Sequence, residues 1–166
     1  MIRNINLALV LAVIFFSLAC SAKVAVGGLP DSDLGKSYKG EPITVSDYKG
    51  KVVRISFWAS WCAPCLKELP ILAGIQNMTE NSLQVLAINY KDQNRPYKKI
   101  VEQLSDTKVI FGRDPRGRIG RRYGVKGVPH LLIIGRDGLL KAIHVGYKED
   151  DLPKLVEEIN VYITEK

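Results

Sequence analysis

Residues 52–70 read VVRISFWASWCAPCLKELP and decide how this chain folds. The stretch opens as an apolar run and ends in two cysteines separated by two residues, Cys62 and Cys65, after which a helical pattern begins. Such an order predicts a buried strand that leads directly into a helix. Both cysteines are then expected in the first turn of that helix.

The two cysteines predict redox chemistry. At a helix start, unpaired backbone N–H groups and the positive end of the helix dipole favour a thiolate, which suits Cys62. Cys65 lies one turn further along the same face, so its sulfur can reach that of Cys62. Pro64 falls in the first turn, where its missing N–H costs little. Trp61 is expected to cover one side of the pair.

Two structural alternatives fit this spacing less well. A permanent structural disulfide stabilises most when it closes a long loop, whereas this one would close a minimal ring. A zinc site normally needs a second pair of ligands, and the sequence contains neither a second C-x-x-C nor an H-x-x-x-H. The spacing therefore favours a pair that alternates between dithiol and disulfide.

Chain length and net charge indicate a single-domain protein and give no sign of a nucleic-acid-binding surface. A chain of 166 residues has room for one domain with a sizeable core. The 24 basic and 17 acidic residues give a formal net charge of +7, but the basic residues are scattered and form no aromatic-interleaved groove. We interpret this charge as a solvated face and expect no nucleic-acid partner.

The N-terminus has the layout of a secretory signal peptide, which we place at residues 1–22. Arg3 supplies a positive charge, residues 5–19 are almost wholly apolar, and small residues follow. The apolar run is short for a membrane-spanning helix, although an uncleaved anchor stays open. We therefore expect export to a bacterial periplasm, where disulfide chemistry is in use.

The third cysteine, Cys20, lies where a signal peptide is processed. The run Leu18-Ala19-Cys20 resembles a bacterial lipobox, in which the cysteine becomes the lipidated first residue of the mature protein. Ser17 stands where a lipobox usually has leucine, and the same small residues would also suit ordinary signal peptidase. Lipidation of Cys20 and simple cleavage both stay open.

The remainder of the chain alternates between strand and helix patterns. We predict a tether over residues 23–37 and one domain over residues 38–166, with a kink where Pro70 interrupts the first helical stripe. Further strands are predicted at 43–46, 83–90 and 109–111 and in a hairpin of 130–134 with 139–145; further helices are predicted from Pro96, over 116–123 and from Asp150-Asp151. This order predicts an α/β fold with a parallel half-sheet and helices on both faces.

Two motifs carry a family likeness, Phe57-Trp58-Ala59-Ser60-Trp61-Cys62-Ala63-Pro64-Cys65 and Tyr123-Gly124-Val125-Lys126-Gly127-Val128-Pro129. With them the chain resembles the thioredoxin superfamily. Segments 46–53, 89–92 and 136–138 make it similar to the exported TlpA/ResA/CcmG branch, over residues 38–164. The resemblance implies a thioredoxin-like fold, with a central mixed β-sheet flanked by helices on both faces and an N-terminal β extension. It also implies no cofactor other than a redox-active Cys62–Cys65 disulfide.

The resemblance also assigns roles to individual residues. In the family, the cysteine that matches Cys62 attacks the substrate disulfide, and the one that matches Cys65 resolves the mixed disulfide. The proline that matches Pro129 is cis, and the residue before it, Val128, offers backbone hydrogen bonds to an extended substrate segment. Trp61, Val128 and Pro129 are therefore the expected substrate-binding residues.

An acidic residue is expected beneath the cysteine pair. Thioredoxins keep a buried aspartate at the position of Ser56, and a serine cannot accept a proton near neutral pH. Glu68 matches an acidic residue that ResA-type proteins place beneath the active site, where it could take the proton of Cys65. The alternative is a solvated helix glutamate beside Lys67. His130 and His144 sit in strand patterns, and we interpret both as structural.

The leading functional hypothesis is an exported thiol–disulfide oxidoreductase that acts mainly as a reductant. Members of this branch are commonly re-reduced by a membrane thiol electron donor and reduce partner proteins, such as the haem-attachment cysteines of apocytochrome c. A general oxidant and a reductant for copper-site assembly stay open, because the fold alone does not set the direction of electron flow. The rival from another class is a copper chaperone with Cys62, Cys65 and His130 as ligands, although such chaperones typically use C-x-x-x-C.

Overall fold

The computed structural model describes residues 24–79, 81–146 and 151–165. Its strands are β1 (Asp33–Lys36), β2 (Pro42–Thr44), β3 (Val52–Trp58), β4 (Leu83–Tyr90), β5 (Ile110–Asp114), β6 (His130–Ile134) and β7 (Leu140–Val145). Its helices are α1 (Ala63–Met78), α2 (Asn94–Gln103), α3 (Arg118–Arg122) and α4 (Leu152–Thr164), with a short 3₁₀ helix at Val45–Tyr48.

A five-stranded mixed sheet in the order β5-β4-β3-β6-β7 forms the centre of the described chain. Strands β3, β4 and β5 run parallel to one another, whereas β6 is antiparallel to both β3 and β7. Strands β1 and β2 form a separate antiparallel pair. The predicted central mixed sheet with an N-terminal β extension is confirmed.

Strand β3 is the middle strand, and all seven of its residues are buried. Because successive side chains of a strand point to opposite faces, β3 contributes to two hydrophobic cores. Val52 and Trp58 belong to the core that α1, α2 and α4 complete. Val53, Ile55 and Phe57 belong to the core that β1, β2 and α3 complete. Helices therefore flank both faces, and α1 begins just beyond the carboxyl end of β3.

Strand β1 lies inside the segment that we predicted as a tether, residues 23–37. Leu34 on this strand is fully buried in the second core. Just before it, the Tyr123 hydroxyl donates to the Asp31 carbonyl, and Arg122 Nε lies 2.8 Å from Asp31 Oδ2. The folded part of the chain therefore begins before residue 38. The predicted signal peptide, residues 1–22 with Cys20, lies outside the described residues.

Some element boundaries also differ from those predicted. Helix α2 begins at Asn94 rather than at Pro96, whereas α1 continues through Pro70 to Met78, as its helical stripe predicted. Strand β2 ends at Thr44, where the chain turns into the 3₁₀ helix instead of remaining extended. Within the described ranges, no helix has the length and apolar character needed to cross a membrane.

Candidate active site

Cys62 and Cys65 lie where β3 passes into α1. Cys62 is the N-cap residue of α1, and its Sγ accepts a hydrogen bond from the backbone N–H of Cys65 at 3.3 Å. Cys62 and Cys65 are joined by a disulfide bond. At the N-cap, the Cys62 sulfur lies at the positive end of the helix dipole, an arrangement that favours a thiolate when the pair is reduced.

The two cysteines differ in exposure. Cys62 is 5% exposed, whereas Cys65 is fully buried. Trp61, which we expected to cover one side of the pair, is 65% exposed. An incoming protein would therefore meet the Trp61 ring and the Cys62 sulfur before it could meet Cys65.

The loop before β6 reaches the same edge of the sheet as the cysteines. The peptide bond between Val128 and Pro129 is cis, which confirms the predicted geometry. His130, the first residue of β6, pairs with Phe57 near the end of β3. Because β3 and β6 are antiparallel, the end of one strand lies beside the beginning of the other. Val128 and Pro129 are thereby brought to the edge from which Trp61 and Cys62 emerge.

Asp92, to which sequence reasoning assigned no role, anchors the turn before the cysteines. Its carboxylate accepts hydrogen bonds from the Ser60 backbone N–H at 2.6 Å, the Ser60 hydroxyl at 3.0 Å and the Asn89 side-chain amide at 2.9 Å. Partial burial raises the pKa of Asp92, but these bonds and one from the Gln93 N–H outweigh it, so the pKa is lowered overall. The Ser60–Asp92 bonds fix the chain two residues before Cys62.

Glu68 is fully buried on α1, one turn beyond Cys65. The alternative of a solvated helix glutamate is therefore wrong. Its charged partner among the described residues is Arg54 on β3, also fully buried, whose Nη2 lies 3.7 Å from Glu68 Oε1. Sequence reasoning missed Arg54, although a charged residue in the middle of an otherwise apolar strand was a signal.

Burial shifts the protonation equilibrium of both members of this pair. Burial raises the pKa of Glu68 to about 7, although the Arg54 guanidinium opposes part of the rise. Burial lowers the pKa of Arg54 to about 10, against the attraction of Glu68 and Glu158. A carboxyl group with a pKa near neutrality is suited to accept a proton and to release it again.

The two histidines lie in strands β6 and β7. His130 is 5% exposed, its ring is edge-on to Phe57, and burial lowers its pKa. His144 Nε2 lies 2.7 Å from Glu158 Oε2. In the part of the chain that the structure describes, no group of three or more His, Cys, Asp or Glu side chains is placed to hold a metal ion.

Comparison with known proteins identifies the family of this chain. A family model described as Redoxin matches residues 25–159. The chain belongs to the Redoxin family. Among relatives of this Redoxin-family chain, the thiol:disulfide interchange protein CycY of Rhizobium leguminosarum bv. viciae is 34% identical over 104 residues, 63% of this chain and 55% of CycY. The chain thus spans little more than half the length of CycY.

Solved structures share the fold of this Redoxin-family chain. A crystal structure of a DsbE-type thiol:disulfide interchange protein from Chlorobium tepidum matches with a TM-score of 0.76 at 30% identity, over 85% of this chain and 99% of that one. The exposed lipoprotein thioredoxin Etrx1 of Streptococcus pneumoniae matches with a TM-score of 0.63 at 29% identity, over 76% of this chain and 98% of that one. The thioredoxin-like fold that the sequence predicted is therefore confirmed.

Proposed function

We propose that this protein is an exported thiol–disulfide oxidoreductase that reduces disulfides of partner proteins through Cys62 and Cys65. One observation carries the proposal: the two sulfur atoms lie within bonding distance at the start of α1, with Cys62 the more exposed. Membership of the Redoxin family and similarity to thiol:disulfide interchange proteins support it from a separate direction.

The reaction proceeds through a mixed disulfide. In the reduced protein, the Cys62 thiolate attacks one sulfur of the partner's disulfide; that S–S bond breaks, and the other partner sulfur leaves as a thiolate that takes up a proton. Cys65, once deprotonated, attacks the Cys62 sulfur, and the second partner sulfur leaves. Two electrons and two protons then reside on the partner, and Cys62–Cys65 is oxidised.

The substrate is a protein segment in extended conformation, such as the haem-attachment region of apocytochrome c. The half-buried Val128 offers its backbone to such a segment, beside the exposed Trp61 ring. A thiol electron donor in the membrane re-reduces the pair after each turnover. The alternatives of a general oxidant and a copper chaperone gain no specific support from the described residues.

Trapping tests the proposal and the separate roles of the cysteines. We expect a Cys65→Ser variant to accumulate partner proteins disulfide-linked to Cys62, because Cys62 can attack but nothing resolves the product. The Cys62→Ser variant is the matched control and is expected to trap far less, since Cys65 is buried. Diagonal gels followed by mass spectrometry measure both. Equal trapping by the two variants, or none by either, would contradict the proposal.

We further propose that Cys20 carries a lipid and holds the domain at the membrane. The lipobox-like run before Cys20 supports this, and the similarity to an exposed lipoprotein thioredoxin of S. pneumoniae agrees with it. We expect Cys20→Ser to move the protein from the membrane pellet to the soluble exported fraction, measured by fractionation and by labelling with a fatty-acid analogue. An unmodified mature N-terminus downstream of Cys20 in the wild type would overturn the lipid anchor.

A further inference from the structure

Arg54 occupies an unusual place for an arginine. It lies in the middle of the central strand β3, is fully buried, and pairs in the sheet with Val85 on one side and Ile133 on the other. It shares its strand face with Val52 and Trp58, whose core contains Cys62 and Cys65. A charge at such a position costs several kcal/mol in desolvation unless a partner offsets it.

The partner of Arg54 is Glu68, but their contact is incomplete. At 3.7 Å the closest approach is an ion pair and not a hydrogen bond. Among the described residues, neither the three guanidinium nitrogens of Arg54 nor the two carboxylate oxygens of Glu68 has a hydrogen-bond partner. Buried polar groups usually have direct hydrogen-bond partners, and a role in chemistry is one reason for a protein to keep a pair that lacks them.

A cavity of about 350 Å³ connects this pair with the surface on the side of β7 and α4. Arg54 and Glu68 line its inner part, and side chains that are partly exposed line its outer part. Among the described residues, the charged and titratable groups that face it from the neighbouring elements are His144 on β7 and Asp151, Lys154 and Glu158 on or beside α4. The cavity therefore reaches the buried Glu68 side chain from a side of the protein other than that of Trp61 and Cys62.

We propose that Arg54 is a positioning residue for the resolving step, holding the Glu68 side chain as a carboxylate that can take the proton of Cys65. This inference rests on the thiol–disulfide exchange proposed above. The Cys65 thiol gives its proton to the Glu68 carboxylate, and the new thiolate attacks the Cys62 sulfur. The Cys62–Cys65 bond forms, the bond from Cys62 to the partner breaks, and the partner sulfur leaves with the electron pair. Glu68 then returns its proton to the water of the cavity.

The sign of the Arg54 effect follows from its charge. The guanidinium favours the ionised form of Glu68, and burial disfavours it. Without the cation, the Glu68 pKa rises further, and a larger share of the carboxyl is already protonated at neutral pH. The resolving step then needs a higher pH, because a protonated carboxyl cannot accept the thiol proton. The attacking step by Cys62 does not depend on this carboxyl.

Stopped-flow mixing of the reduced protein with dithiobis(nitrobenzoate) separates the two steps. The first nitrothiobenzoate is released when Cys62 attacks, and the second when Cys65 resolves the mixed disulfide. For Arg54→Met, we expect the acid limb of the second phase to move up by about one pH unit. Because the Glu68 pKa is about 7, this shift lowers the ionised fraction at pH 7 from about one half to about one tenth, so the second phase is expected to be about fivefold slower there. Arg54→Gln is a second neutral variant in case the methionine variant does not fold, and near-UV circular dichroism checks both.

Matched variants decide between an electrostatic and a merely structural role. Arg54→Lys keeps a cation and is expected to keep the second phase closer to wild type than either neutral variant. In a Glu68→Gln background, Arg54→Met is expected to slow the second phase no further, since the group through which it acts is gone. Folded neutral variants with the wild-type pH profile, or equal slowing in both backgrounds, would overturn the role of Arg54. Absence of the first phase in the wild type would instead overturn the proposed function.

Discussion

Glu68→Gln is expected to slow the resolving step by about 10²–10⁴-fold, the usual contribution of general acid–base help. Only a thiolate can attack the mixed disulfide, so Cys65 must lose its proton. Ser56 cannot accept it near neutral pH, whereas Glu68 lies one turn from Cys65 on the buried face of α1 and has a pKa raised to about 7 by burial. Glutamine keeps the shape of the side chain and removes the proton acceptor.

The measurement is the rate of substrate disulfide reduction from pH 6 to pH 8, with the mixed disulfide quantified by acid quench. The wild-type rate is expected to rise through the Glu68 pKa, whereas the variant is expected to be slow and to rise only as Cys65 itself ionises. Glu157→Gln is the matched control, because Glu157 is exposed on α4 and does not line the cavity. A Glu68→Gln variant that reduces substrate at the wild-type rate over this range would remove Glu68 from the mechanism.

Much of this site follows from local pattern. The strand–helix unit can be predicted without knowledge of any distant contact. It follows from the apolar run before Cys62, the spacing to Cys65 and the helical stripe after Cys65. The cis bond at Pro129 was expected from family resemblance and not from periodicity, since a proline at the start of a strand is equally compatible with a trans bond. The helices and strands with the strongest hydrophobic periodicity were predicted correctly.

The unpredicted features all depend on contacts between distant parts of the chain. Arg54 meets Glu68 only because β3 presents it to the same core as the inner face of α1, so a reading of β3 alone gives it no partner. Leu34 stands between Asp33 and Gly35 with no apolar residue beside it, and its place in the second core becomes apparent only in the folded chain. Asp92 follows a strand by two residues, and its role appears only when Ser60 is seen beside it.

Glu68→Gln is also expected to make the oxidised protein more stable than wild type above pH 7, by about 3 kcal/mol, with little difference below pH 4. Burial raises the pKa of Glu68 from 4.5 to about 7, so the folded state favours the protonated carboxyl more than the unfolded state does. This contribution to stability is fully present below the unfolded pKa and is lost as pH rises through the folded one. Each pKa unit corresponds to about 1.4 kcal/mol.

Denaturant unfolding of both proteins between pH 4 and pH 8, with the Cys62–Cys65 disulfide intact so that no thiol titrates, gives the difference directly. Subtracting the wild-type unfolding free energy from that of the variant cancels the contributions of other titrating groups such as Asp92. The control Glu157→Gln should show no comparable pH-dependent difference. The sign of this stability difference also shows which of two opposing effects on the buried pair is larger. If Glu68→Gln is less stable than wild type above pH 7, the attraction between Glu68 and Arg54 exceeds the desolvation of the carboxylate, and the direction of the Glu68 pKa shift is wrong. If the variant is more stable there, the wild-type protein keeps an ionisable group in its core at a loss of stability, which is the pattern of a group retained for chemistry.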